Sequence, residues 1–137
     1  ALETKGIACQ PVDHSGLGDQ TRISAVALAR FLGHSEVAGH LPPLLKEVGV
    51  FDSNGRLLTG RGTKVFAKTG TLNFVSSLAG YIQREGQADL VFAILSADQD
   101  RRALSRDSQD EVPPGARRWS ENARWLQQRL LRGWIGG

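Results

Sequence analysis

The residues whose types and spacing could do chemistry gather in one short run, Lys68-Thr69-Gly70-Thr71. A substrate ending in a free carboxylate needs a fixed cation and hydroxyl donors, and Lys68, Thr69 and Thr71 supply both. Gly70 has no side chain, so a peptide-like ligand can lie close against the backbone there. The run falls within residues 63–71, which read as a strand. Alternation along a strand puts Lys68 and Gly70 on one face and Thr69 and Thr71 on the other. These groups can serve a single ligand only if it lies along the border of a sheet. Residues 63–71 are therefore expected to form an edge strand, open to pairing with an extended substrate, with an unpaired backbone N–H available to an oxyanion.

Other reactive residue types read more blandly. Ser15 follows His14, but adjacent residues rarely aim at one another, and Asp13-His14-Ser15-Gly16 has the composition of a turn. His34 and His40 flank Glu36 without the regular spacing or further ligand that a metal site needs. Cys9 is the one cysteine, which excludes an internal disulfide and a cysteine-rich zinc site, and nothing near it lowers a thiol pKa. No metal or organic cofactor is implied.

The elements that must position the run follow from pattern. Ser24 can cap a helix over residues 24–33, in which Ala25, Leu28, Ala29, Phe31 and Leu32 recur at helical spacing and Gly33 is a stop. Residues 41–47 can begin a second short helix with proline in its first turn. Asp52-Ser53-Asn54-Gly55 is a turn. Antiparallel strands are expected at 63–71, 75–84 and 88–97, in chain order, the last two joined across Glu85-Gly86-Gln87. Leu90-Val91-Phe92-Ala93-Ile94-Leu95 is apolar on both faces, as in a strand covered on both sides. Residues 98–115 are polar, carry both signs of charge and read as a long exposed loop. A final helix is expected over 116–132, with Trp119, Ala123, Leu126 and Leu130 on its apolar stripe and Arg117, Glu121, Arg124, Gln128 and Arg132 opposite. The fold class is α/β in content, with an antiparallel sheet and helices packed on it.

Composition sets the outer bounds. The chain has 137 residues, enough for one domain; 40% are hydrophobic and 23% charged, which is ordinary globular composition. No apolar run reaches the roughly 18 residues of a membrane helix, so no membrane span is expected. The net charge is +3, and the basic residues are spread along the chain without the dense stripe and interleaved aromatics of a nucleic-acid binder. The sequence begins at Ala1-Leu2-Glu3 and contains no methionine, which reads as a processed product or a piece of something longer.

Four blocks in order carry a resemblance: Asp13-His14-Ser15-Gly16-Leu17, Arg22-Ile23-Ser24-Ala25, residues 62–72 around Lys68-Thr69-Gly70, and Leu78-Ala79-Gly80-Tyr81. K-T-G is one of three motifs of penicillin-binding proteins and class A β-lactamases, with S-x-x-K and S-D-N. Together the blocks resemble the C-terminal part of class C low-molecular-mass penicillin-binding proteins, the D-alanyl-D-alanine carboxypeptidase/endopeptidases of the DacB type (peptidase family S13). His14 stands where that family usually has glycine, and Thr21 where it often has asparagine.

The resemblance implies the sheet half of a β-lactamase/transpeptidase-like fold. It implies a periplasmic parent that acts on peptidoglycan stem peptides by a serine acyl-enzyme, and that β-lactams inhibit covalently. Lys68 would be the catalytic K-T-G lysine, supporting proton shuttling and the field for the substrate carboxylate. Thr69 would bind that carboxylate, with Gly70 beside it. Thr71 would offer its N–H to the oxyanion and its hydroxyl to the carboxylate, and Asp13 and Ser15 would shape the site. No serine here has lysine three positions on, and the one S-x-N, Ser120-Glu121-Asn122, lies after K-T-G and in a helix. Residues 1–137 are thus expected to be the C-terminal part of such a domain, inactive alone and prone to self-association. Two other readings remain open: a non-catalytic module that binds peptides or carboxylates through the strand around Lys68, and a basic nucleic-acid-binding domain.

Overall fold

A computed structural model describes residues 9–10, 21–60, 62–106 and 111–136. Two ribbons of chain, β1 (Cys9–Gln10) and β2 (Arg22–Ile23), pair antiparallel. Then α1 (Ala25–Leu32) starts at Ser24, whose Oγ accepts from Ala27 N at 3.1 Å, and stops at Gly33. A short α2 (Ser35–His40) follows directly.

Residues 41–47 depart from expectation. They give one 3-10 turn at Pro42–Leu44 and then a two-residue strand, β3 (Lys46–Glu47). Two consecutive prolines supply no N–H to propagate a helix, so the segment turns once and extends. The turn at 52–55 is present: Asp52 Oδ1 accepts from both Asn54 N and Arg56 N at 2.8 Å. Those backbone donors, Arg56 N foremost, hold the Asp52 carboxyl below its ordinary pKa.

The main sheet is antiparallel, in the order β3, β4 (Thr63–Leu72), β5 (Val75–Arg84), β6 (Leu90–Ala97). The three long strands fall where the sequence places them, and β3 is a fourth. Helix covers both faces. On one, Val65, Ala67, Leu78, Ile82, Phe92 and Ile94 pack with Leu131 of the terminal helix α4 (Ala116–Gly136). On the other, Tyr81 is buried under α1 and donates its hydroxyl to Leu32 O at 2.8 Å. Burial pushes the Tyr81 pKa up, so the phenol stays a donor.

Two further expectations are corrected. Residues 99–106 form a helix, α3 (Gln99–Arg106), rather than loop. Asp98 starts it, with Oδ1 accepting from Arg101 N at 3.0 Å and the backbone O from Arg102 N at 2.9 Å. Its only apolar side chains are Ala103 and Leu104, and Leu104 is 76% exposed, so α3 has no apolar stripe to betray it. The buried face of α4 is Ala116, Ala123, Gln127 and Leu131, whereas Leu126 is 42% exposed. The helix is rotated from its apolar stripe because Gln127 is satisfied inside: Nε2 donates to Ser76 Oγ at 3.0 Å. Strand β6 is covered on both faces only along its middle, since Leu90 and Leu95 stay partly exposed.

Gly80 of β5 lies opposite Ala67 of β4. A Cβ on Gly80 would lie 2.7 Å from Ala67 Cα and would strike Phe66 O. Backbone cannot yield as a side chain can, so Gly80→Ala should cost about 3 kcal/mol or more. Chemical denaturation of the variant is the measurement; a change under 1 kcal/mol would contradict the close approach.

Candidate functional site

The position of β4 in the sheet decides what its residues can do. Lys46 and Glu47 pair with Ala67 and Phe66, and Val48 N donates to Val65 O at 2.8 Å. The expected edge strand is therefore covered over its first half, and its border is open only along residues 68–72. The coverage ends because β3 leads back at once into the 3-10 turn and its prolines.

In an antiparallel strand successive residues point their N–H and C=O to alternate flanks. Val65 O faces β3, so the backbone groups of Thr69 and Thr71 face the same way, past the end of β3 and onto the open border. Those of Lys68 and Gly70 are turned toward Ala79 and Ser77 of β5. Lys68 is exposed, and its Nζ donates to Thr69 O at 2.6 Å. The lysine thus folds over the open border and occupies the acceptor that an incoming strand would use.

The faces divide as alternation requires. Thr69 and Thr71 share the α4 face with Val65 and Ala67; Lys68 and Gly70 lie on the α1 face. Beside Gly70, Ser77 Oγ donates to Gly70 O at 3.4 Å, and a Cβ on Gly70 would lie 2.5 Å from that Oγ.

The two-residue turn after β4 fixes its end. Phe74 has φ +59, a left-handed backbone unusual for a bulky residue. It is held by burial: the ring meets Trp119 of α4 edge-on at 6.2 Å, with the Arg101 guanidinium 6.0 Å from the ring centroid. Asn73 Nδ2 donates to Glu111 O at 3.0 Å. These contacts join the β4–β5 turn to the start of α4 and leave a cleft of about 350 Å³ between them. Thr71, Leu72 and Asn73 form one wall, and Arg117, Ser120, Glu121 and Arg124 line the other.

The structure thus brings Lys68, Thr69, Gly70 and Thr71 onto one open border. Asp13 and Ser15 lie outside the described residues. Of the helical residues in this wall, Arg117, Glu121 and Arg124 lie on the side of α4 opposite the apolar stripe that the sequence predicts. Only a spacing of seven, which puts Arg117 and Arg124 on one flank, hints at a shared wall. Ser120 of the S-x-N triplet lies on α4 as expected and lines this cleft on the wall opposite Thr71. Among the described residues no cluster of histidine, cysteine and carboxylates could hold a metal, and no helix is long and apolar enough to cross a membrane.

A helix-flanked antiparallel sheet whose outer long strand exposes a lysine, two threonines and their backbone groups can offer an extended, acid-tailed ligand both pairing and charge. That α+β architecture is the class the structure defines. A model of the D-Ala-D-Ala carboxypeptidase 3 (S13) family matches residues 1–114, and the chain belongs to that family. Neither curated proteins nor solved structures yield a significant match.

Gly70→Ala tests how tightly Ser77 guards the glycine. The methyl group should displace the hydroxyl, a movable side-chain atom, and cost about 1 kcal/mol. Adding Ser77→Ala should relieve the clash, so that the double variant is no less stable than Ser77→Ala alone by thermal unfolding. A further loss in the double variant would show that backbone, not Ser77, limits the site.

Proposed function

We propose that these residues are the C-terminal portion of a serine-type D-Ala-D-Ala carboxypeptidase/endopeptidase of the DacB type, acting in the periplasm on peptidoglycan stem peptides. The observation that carries this reading is the open border at residues 68–72, with Lys68 exposed on it and the backbone of Thr69 and Thr71 turned outward. Family membership supports the chemistry.

In this reading the stem peptide lies along β4 as an added strand and displaces the Lys68 amine from Thr69 O. Thr71 N–H then points at the scissile carbonyl oxygen and stabilises the charge that develops there. The hydroxyls of Thr69 and Thr71 receive the terminal carboxylate. Lys68, freed from its own backbone, assists the proton transfers as a serine attacks the penultimate D-Ala carbonyl, D-Ala leaves and water releases the acyl group. The attacking serine is one outside these residues, since none of the serines here has lysine at the third following position.

The 137-residue chain incubated with benzylpenicillin should therefore gain no mass. A chain extended upstream to include an S-x-x-K serine should gain one adduct, and Lys68→Gln in that longer chain should slow acylation about a hundredfold or more. An adduct on the short chain, or unchanged acylation in the extended variant, would refute the assignment.

The open border of β4 and the partly exposed Leu90 and Leu95 of β6 also invite pairing between copies. Sedimentation should show association that increases with concentration; a monomer throughout would refute it.

A further inference from the structure

The α4 face and the α1 face of β4 differ in what they offer an acid. Thr69 and Thr71, the hydroxyl donors, are on the α4 face, whereas the Lys68 side chain leaves the strand on the other. The cations that line the cleft with Thr71 and Ser120 are Arg117 and Arg124, seven residues apart on one flank of α4. Among the described residues neither arginine forms an ion pair. Glu121 lies in the same wall and is likewise unpaired, so two positive charges and one negative line the cleft. One carboxylate would neutralise it. Guanidinium forks flanked by hydroxyls suit a carboxylate, which accepts two parallel N–H bonds from one arginine.

We propose that this cleft is a carboxylate subsite in which Arg117 and Arg124 take the acid tail of the peptide, Thr71 and Ser120 adding hydroxyl donors. This deepens the reading of the open border and rests on it. It divides the labour between two sets of cations: the arginine wall holds the tail, and Lys68 is left to the reacting end. Helix α4 begins at Ala116, beyond the residues the family match covers, so family membership does not account for the arginine wall of the subsite. Glu121 opposes the bound charge, which keeps the affinity modest and lets a product acid leave.

The test is a set of NMR titrations of the 137-residue chain at constant ionic strength. Acetate, the minimal carboxylate, should shift the Thr71, Ser120 and Arg124 signals saturably. Arg117→Gln with Arg124→Gln, both on exposed side chains, should abolish those shifts in a chain whose spectrum is otherwise preserved. Glu121→Gln should tighten acetate binding severalfold, a change no purely structural role would produce. N-acetyl-D-alanyl-D-alanine should bind about tenfold more tightly than its C-terminal amide, and the double variant should lose that preference. Acetate shifts that do not saturate, or that survive the double substitution, would overturn the subsite. So would an acid-over-amide preference kept by the double variant and lost in Lys68→Gln, which would leave the border reading standing. Saturable acetate binding at the arginines without dipeptide binding would overturn the assignment of the cleft to the peptide tail.

Discussion

One strand with unequal flanks governs this molecule. Along its inner flank β4 is paired with β5 from Thr63 to Leu72 without interruption. Along the outer flank pairing stops after Ala67. A buried strand would have its donors and acceptors spent, and a wholly open one would invite indiscriminate pairing. Ending the partner strand at two residues exposes only the backbone of Thr69 and Thr71 on that side. The Lys68 amine, bonded to Thr69 O, guards even that short border. The guard is weak by design of its chemistry, because an exposed ammonium exchanges one oxygen for another at little cost.

Beyond the short pairing with β3, β4 is held in place from its other sides. Gly80 lets β5 come closer than any side chain would allow, with a Cβ there meeting Phe66 and Ala67 backbone. Leu131 and the Gln127–Ser76 hydrogen bond anchor α4 on one face, and the Tyr81–Leu32 hydrogen bond ties α1 to the other. Gln128 adds a clasp to the chain leading into the sheet, donating from Nε2 to Gly49 O at 3.1 Å and accepting from Phe51 N at 3.3 Å. A buried polar contact is favourable only when its partners are in register. These contacts therefore fix the rotation of α4, and with it which of its residues meet Thr71.

That rotation marks the boundary of what the sequence makes legible. The three long strands, the Ser24 cap and α1 follow from local pattern, because alternation, capping and turn residues act over a few positions. The Lys68–Thr71 run is readable for the same reason. The wall facing it is not. Helix α4 presents Leu126 on its apolar stripe, yet it buries Gln127, since Ser76, distant in sequence, satisfies the amide. A preference read from hydrophobicity is easily overridden by one such bond. Likewise α3 owes its existence to the Asp98 cap and to its place after β6, not to an apolar face. The partial cover of β4 by β3 depends on where two prolines leave the chain, which no periodicity encodes.

The left-handed residue in the β4–β5 turn links these two halves. A positive φ costs a bulky residue of order 1 kcal/mol or more, and glycine or asparagine would avoid it. Phe74 is kept there because its ring, buried against Trp119, contributes more than the backbone loses. Asn73, which would tolerate that conformation better, instead spends its side chain on Glu111 O. The consequence is positional: the turn can neither swing away from α4 nor collapse onto it, so the distance between Thr71 and the helix is set by a packed aromatic pair. A cleft held open in this way is preorganised, and a ligand entering it need not first create its shape.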